Sequence, residues 1–218
     1  MDPDNTTIET DNTTIETETI TTEPEITQRE KAFQKKQIIT LSVLVVLVAA
    51  VVTILVVFKP FQSDADRFYA DYPLAGKDNI YVYRSASKTA DFLENGTGLV
   101  FIGFPSCPWC QRYVEMLQGV ALDAGIKEIN YCDIYKDRDK DTAQYRKLVE
   151  LLRPHLELDS NGNPRIYVPD FTVVKDGVIL GHNNETSTLS GITPEEYWTV
   201  DKVNALLQRL EEMILSIR

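Results

Sequence analysis

Cysteine and histidine are scarce in this sequence of 218 residues, which has three cysteines and two histidines. Small secreted proteins that depend on disulfides carry several cysteine pairs, so the chain is not a disulfide scaffold. Structural zinc sites need four ligands, usually Cys or His at short spacings. Beyond the pair Cys107 and Cys110, the other candidates, Cys132, His155 and His182, stand singly in the sequence. These absences disfavour zinc and leave one close cysteine pair to interpret.

Basic residues are also fewer than acidic residues. The chain has 22 lysines and arginines against 33 aspartates and glutamates, for a net charge of −11. Binding to a phosphate backbone needs clustered positive charge. The composition therefore argues against nucleic acid as a partner.

Two segments rich in aspartate and asparagine, 137–141 and 159–163, invite comparison with a calcium-binding loop. An EF-hand loop needs glycine at its sixth position. The sequence has Thr142 and Pro164 at those positions. We therefore interpret both segments as solvated turns.

The tetrapeptide Cys107-Pro108-Trp109-Cys110 carries the strongest functional signal. An apolar run, 99–104, precedes it and a helical apolar pattern follows it, which predicts a strand, a tight turn and a helix. Cys107 would lie at the helix start, where free N–H groups and the helix dipole favour a thiolate. Pro108 suits the first helical position. Cys110, one turn later, can resolve a mixed disulfide on Cys107. The spacing favours redox chemistry over half a zinc site or a structural disulfide.

Cys132 lies near the end of a predicted strand, well after the pair. A third thiol could resolve or regulate Cys107. Buried free cysteine is common and inert, however, and we expect that state for Cys132.

Residues 1–28 have low complexity. The heptapeptide DNTTIET occurs twice in tandem, at 4–10 and 11–17, and the segment contains no aromatic residue. Such a segment buries too little apolar surface to order itself. We expect a disordered acidic tail, followed by a basic flank at 29–37.

Residues 38–58 form a run of 21 residues without a charged side chain. A helix of this length spans about 31 Å, roughly one hydrocarbon core. The run begins late for a signal peptide and ends in Val57-Phe58-Lys59-Pro60 rather than a small-residue cleavage site. It is apolar all round, unlike an amphipathic core helix. We predict an uncleaved transmembrane helix in the lipid bilayer.

The flanking charges predict the orientation of this helix. Four basic residues lie within the ten positions before it, whereas Lys59 and Arg67 after it are offset by aspartates. The positive-inside rule then predicts a single-pass protein of the cell membrane, with a cytoplasmic N-terminus and an extracytoplasmic C-terminal domain.

The residues after the span divide into a juxtamembrane linker, 59–79, and a globular region, 80–218. Proline and glycine interrupt the linker, which has room for a short helix around residues 64–72. The globular region, about 140 residues, is an ordinary size for one domain.

Apolar patterns in the globular region predict alternating strands and helices. We expect strands at 80–83, 99–104 and 127–134, and helices at 87–94, after the cysteine pair and at 145–152. Asp176-Gly177, between apolar runs at 171–174 and 178–180, predicts a hairpin. A capping box at residues 193–196 predicts a final helix to the C-terminus.

This order of elements resembles the thioredoxin fold, an α/β fold with a central mixed sheet and flanking helices. The likeness covers residues 80–218. It rests on Cys107-Pro-Trp-Cys110 at a helix start, Val168-Pro169 before a strand, and the Asp176-Gly177 hairpin with a closing helix. The resemblance implies that Pro169 is cis and faces the cysteine pair, with the adjoining backbone pairing with an extended substrate. The Pro-Trp dipeptide is similar to the Pro-aromatic pair of glutaredoxins.

The membrane anchor and the run VPDFTVVKDG, 168–177, resemble cell-surface thioredoxin-like proteins of Gram-positive bacteria. Some of those proteins are grouped with bacteriocin-transport accessory proteins. The resemblance implies a redox-active thiol–disulfide oxidoreductase that uses no cofactor and no metal. Its clients would be exported proteins or peptides with cysteines, and a membrane redox protein would recycle it. The alternative is a non-catalytic, peptide-binding accessory protein for export or immunity.

The resemblance also assigns roles to residues. Cys107 and Cys110 would be catalytic, and the active-site support would come from Pro108, Trp109, Val168 and Pro169. One position departs from the family. Classical thioredoxins have a buried Asp six residues before the first cysteine, as proton acceptor for the second, and this sequence has Phe101 there. The motif does not set the direction of electron flow, since potentials in this fold run from about −270 to about −120 mV.

Overall fold

The computed structural model describes residues 23–58, 62–185, 189 and 191–218. The chain divides into two compact units, Met1–Pro60 and Phe61–Arg218. Most of the predicted tail, residues 1–22, lies outside the described residues.

Helix α1, Glu23–Phe58, contains the apolar run. Among the described helices it alone is long and apolar enough to cross a membrane, through Thr27–Val56. The hydroxyls of Thr40, Ser42 and Thr53 each donate a hydrogen bond to the carbonyl four residues earlier. These bonds satisfy the polar side chains within the apolar run. The helix begins before residue 29, so part of the expected tail is helical.

A five-stranded mixed sheet forms the centre of the second unit. Its strands are β1 (Tyr81–Tyr83), β2 (Gly98–Gly103), β3 (Ile129–Asp133), β4 (Asp170–Lys175) and β5 (Val178–Asn183). Their order in space is β1-β3-β2-β4-β5. Strands β1 and β2 run parallel to β3, and β4 runs antiparallel to β2 and β5. The expectation of an α/β fold with a mixed sheet is confirmed.

Helices cover both faces of this sheet. They are α2 (Asp64–Asp71), α3 (Ala86–Asn95), α4 (Pro108–Asp123), α5 (Tyr135–Asp139), α6 (Ala143–Leu152), α7 (Pro194–Tyr197) and α8 (Val200–Leu215). Two 3-10 turns, Pro73–Ala75 and Arg153–His155, follow α2 and α6. Tyr113 of α4 stacks on Phe101 of β2, whereas Thr89 of α3 bonds to Cys132 on the other face. Helices α3 and α6 pack together.

Helix α2 contributes to the hydrophobic core. Phe68 and Tyr72 are fully buried. The Phe68 ring stacks on Tyr81 with 3.9 Å between ring centroids, and the hydroxyl oxygens of Tyr72 and Tyr131 lie 3.0 Å apart. The compact unit therefore includes residues that the sequence analysis assigned to the linker.

Several local predictions are confirmed and others are corrected. The hairpin between β4 and β5 and the capping box at Thr193 are present. Helix α3 begins at Ala86, one residue before the predicted start at 87, and its cap is Ser85, whose hydroxyl accepts the Lys88 N–H. Residues 135–139 are a short helix rather than a solvated turn. The final helix is interrupted between α7 and α8, at residues 198–199.

Candidate dithiol site

Cys107 is the N-cap residue of α4, and Pro108 occupies the first turn. The Cys107 N–H donates to the carbonyl of Phe104 at 3.1 Å, which fixes the turn after β2. The Cys107 sulfur accepts the N–H of Cys110 at 3.1 Å. A sulfur that caps a helix receives an unpaired backbone donor and the positive end of the helix dipole.

The two thiols of the pair have opposite electrostatic surroundings. All three cysteines are free thiols, with Cys107 5% exposed and Cys110 0% exposed. A hydrogen bond with the Cys110 thiol lowers the pKa of Cys107, and the backbone N–H groups of Cys110 and Trp109 act in the same direction. Burial raises the pKa of Cys110, and the neighbouring Cys107 raises it further. Because the two thiols are almost equally buried, they differ mainly in the direction of their pKa shifts and in the position of Cys107 at the start of α4.

The segment before β4 lies against Cys107. The Val168–Pro169 peptide bond is cis, as the resemblance implied. The Cys107 thiol donates to the carbonyl oxygen of Val168 at 3.8 Å. The structure therefore brings Val168 and its neighbour Pro169 to the cysteine pair.

Trp109 lies at the surface beside the pair, held by a residue that the sequence analysis missed. Its ring meets Tyr197 of α7 edge to face, with 5.5 Å between centroids. The Lys202 ammonium lies 3.5 Å from the Tyr197 ring centroid. The capping box predicted α7, but no sequence pattern linked it to the cysteines. Pro108, by contrast, is exposed.

Gly103 of β2 lies beside the Cys110 sulfur. A Cβ added at Gly103 would lie 3.3 Å from the Cys110 sulfur and 3.0 Å from the Phe101 ring. Phe101 is fully buried and stacks nearly parallel on Tyr113. Glycine at position 103 therefore makes room for the sulfur. The aromatic ring of Phe101 occupies the position at which classical thioredoxins, which the sequence resembles, have a carboxylate.

Arg138 of α5 is a second residue that the sequence analysis missed. Its guanidinium carbon lies 4.9 Å from the Phe104 ring centroid, and Nη1 donates to the Ile166 carbonyl at 3.3 Å. Three aspartates alternate with basic residues in 137–141, which favoured a solvated turn in the sequence analysis. That pattern does not reveal that one of its charges faces the protein.

A buried polar pair follows Pro169. The imidazole Nε2 of His182 lies 3.0 Å from Oδ2 of Asp170, and His155 stacks on His182 with 5.2 Å between centroids. The two histidines, isolated in the sequence, are therefore neighbours. Within the described ranges, no group of three or more His, Cys, Asp or Glu side chains is arranged to hold a metal ion.

Cys132 is fully buried in β3. Burial raises the pKa of its thiol to about 12, although a hydrogen bond with Thr89 acts in the opposite direction. A thiol this weakly acidic is a poor nucleophile near neutral pH. Its expected inertness stays a prediction.

No known family model matches this chain, and no curated protein sequence is significantly similar to it.

Proposed function

We propose that the second unit has a thioredoxin fold and acts as a thiol–disulfide oxidoreductase through Cys107 and Cys110. One observation carries this proposal: the Cys107 sulfur caps α4 and accepts the Cys110 N–H at 3.1 Å, while the Cys110 thiol is fully buried behind it. The strand order β1-β3-β2-β4-β5, with α4 following β2, supports the fold assignment.

The exchange takes place in two balanced steps. The Cys107 thiolate attacks one sulfur of a client disulfide; a mixed disulfide forms and the other client sulfur leaves as a thiolate, which takes up a proton. Cys110 then loses its proton and attacks the Cys107 sulfur. The internal disulfide forms, the second client thiol is released, and two electrons have passed to the client. The reverse sequence oxidises a client dithiol.

The position of Val168 supports a peptide or protein client. Its carbonyl lies 3.8 Å from the attacking sulfur, so a client backbone beside residues 166–169 would bring its own sulfur to Cys107. Clients are therefore extended segments that contain cysteine. Helix α1 would anchor the protein in the membrane, with the basic flank in the cytoplasm and the dithiol outside it.

Disulfide exchange by the full chain in lipid nanodiscs tests the proposal. With insulin as client and dithiothreitol as electron donor, the wild type should accelerate disulfide reduction, and Cys107→Ser should not. Cys132→Ser is the matched control and should retain the wild-type rate. A wild type that does not exceed the dithiothreitol background would contradict the redox proposal and favour the peptide-binding alternative.

A further inference from the structure

Arg138 is half-buried and has no carboxylate partner among the described residues. Within the described parts of the chain, no carboxylate oxygen lies within 4.0 Å of its guanidinium. Burial lowers the pKa of Arg138, so its surroundings disfavour the charged form. Buried charges in proteins are normally paired. The half-buried guanidinium of Arg138 is held instead by an aromatic ring and a backbone carbonyl.

The two groups that hold Arg138, the Phe104 ring and the Ile166 carbonyl, belong to the two segments that contact Cys107. The Phe104 ring, which its guanidinium covers, belongs to the residue whose carbonyl accepts the Cys107 N–H. Ile166, whose carbonyl accepts the Arg138 hydrogen bond, lies two residues before Val168, which contacts the Cys107 sulfur. The guanidinium is therefore tied to both segments that border this sulfur.

Tyr145, Cys107 and Cys110 are the acidic groups that favour the charged form of Arg138. Burial raises the pKa of Tyr145 and of Cys110, so Cys107, whose pKa is lowered, is the one of the three that forms an anion most readily. After burial, the positive charge of Arg165 is the strongest influence that lowers the Arg138 pKa. Tyr145, Cys107 and Cys110 act in the opposite direction, as anions would. Arg138 in turn contributes to the lowered pKa of Cys107, after the hydrogen bond with Cys110 and the backbone N–H groups.

We propose that Arg138 is the counter-ion of the Cys107 thiolate and thereby biases the site toward oxidation of client dithiols. This inference rests on the proposed function. A cation beside Cys107 stabilises the reduced, anionic form of the site and has no such effect on the neutral disulfide. Stabilising the reduced form makes a dithiol–disulfide pair a stronger oxidant. Arg138 acts through Cys107 and is a positioning residue.

The test measures alkylation of Cys107 by iodoacetamide across pH, with the full chain in nanodiscs and the modified residue identified by mass spectrometry. Arg138→Gln should raise the Cys107 pKa by about 0.5–1 unit, the low end for loss of a nearby opposite charge. Alkylation at a fixed pH below the pKa should then slow about 2–4-fold, because the smaller thiolate fraction is partly offset by the greater nucleophilicity of a less acidic thiolate. Arg138→Lys should recover most of this loss.

Arg146→Gln is the matched control, because Arg146 is 59% exposed and pairs with Asp141 at the surface. It should leave the Cys107 profile unchanged. In a glutathione redox buffer, Arg138→Gln should also shift the equilibrium toward the internal disulfide, whereas Arg138→Lys should not. The circular dichroism of each variant reports on folding, and the charge-retaining Arg138→Lys variant supplies the comparison if Arg138→Gln is unfolded.

An unchanged Cys107 pKa in folded Arg138→Gln would overturn the inference. A folded Arg138→Lys variant with the full loss expected of Arg138→Gln would overturn it as well, since the charge would then not be what matters. Both results are compatible with wild-type insulin reduction, so they are distinguishable from failure of the proposed function, in which the wild type itself performs no exchange.

Discussion

Asp170 and His182 form a buried pair, with 3.0 Å between Oδ2 and Nε2 and with 0% and 5% of their side chains exposed. Asp170 directly follows Pro169, so the pair anchors the segment that contacts Cys107. Removing one partner of a buried hydrogen-bonded pair leaves the other unsatisfied, which costs about 1–3 kcal/mol.

We therefore expect His182→Ala to lower the free energy of unfolding by about 2 kcal/mol. His155→Ala is the control, since His155 is exposed and only stacks on His182. It should cost less than about 1 kcal/mol. Urea unfolding of the nanodisc-embedded chain, followed by tryptophan fluorescence, measures both values. Equal losses in the two variants would show that the pair contributes little.

The two cysteines of the site should behave differently when each is replaced. Cys110→Ala retains the attacking thiol and should accumulate mixed disulfides with clients, reversible by added thiol. Cys107→Ala should trap none. Non-reducing electrophoresis followed by mass spectrometry detects the trapped species. Equal trapping by both variants would reverse or abolish the assignment of nucleophile and resolving thiol.

The pH dependence of alkylation should separate the same two thiols. A lowered pKa means that Cys107 becomes a thiolate at lower pH than an ordinary cysteine, and a raised pKa means that Cys110 does so only at higher pH. As pH rises, Cys107 should react first, below the ordinary thiol value of about 8.5. Peptide mapping after short pulses of iodoacetamide gives the order. Prior reaction of Cys110 would contradict the electrostatic description of the site.

Gly177 in the β4–β5 hairpin should tolerate no side chain. Its φ is +77°, and an added Cβ would lie 2.0 Å from the Glu94 carbonyl oxygen. Gly162 has a similar φ of +79° with nothing within 4 Å. Gly162→Ala should cost about 1–2 kcal/mol for the left-handed backbone alone. Gly177→Ala should cost about 1–3 kcal/mol more, because the chain must also move away from α3. Similar urea midpoints for both variants would contradict this contact.

The orientation proposed for α1 predicts which end of the chain a protease reaches. In intact cells, added protease should remove the C-terminal domain and leave the basic flank protected. Replacing Lys35 and Lys36 with glutamine removes two of the four flanking charges and should reduce the protected fraction. Immunoblotting with tags at both ends measures this. Loss of the N-terminal tag alone would show the inverted orientation.

Local patterns are sufficient to predict the long apolar helix α1 and much of the sheet. The apolar run before Cys107, the Asp176-Gly177 turn and the Thr193 capping box each specify an element through neighbouring residues. The contacts of the site depend instead on residues far apart in sequence. The contact of Tyr197 with Trp109 and that of Arg138 with Phe104 produce no periodic pattern in the sequence. The sequence predicts a linker where helix α2 lies, because the residues that its aromatic side chains contact are on strands distant in the sequence.

The burial of Cys110 has a kinetic consequence for the proposed exchange. Gly103 borders the Cys110 sulfur, no carboxylate in the described part of the chain hydrogen-bonds to this thiol, and burial raises its pKa. In the proposed exchange, Cys110 would have to lose its proton to water or to the client before it could resolve the mixed disulfide, so this intermediate would be long-lived and its lifetime would shorten as pH rises. A slow resolving step would retain a client while the rest of that client folds or passes to another protein.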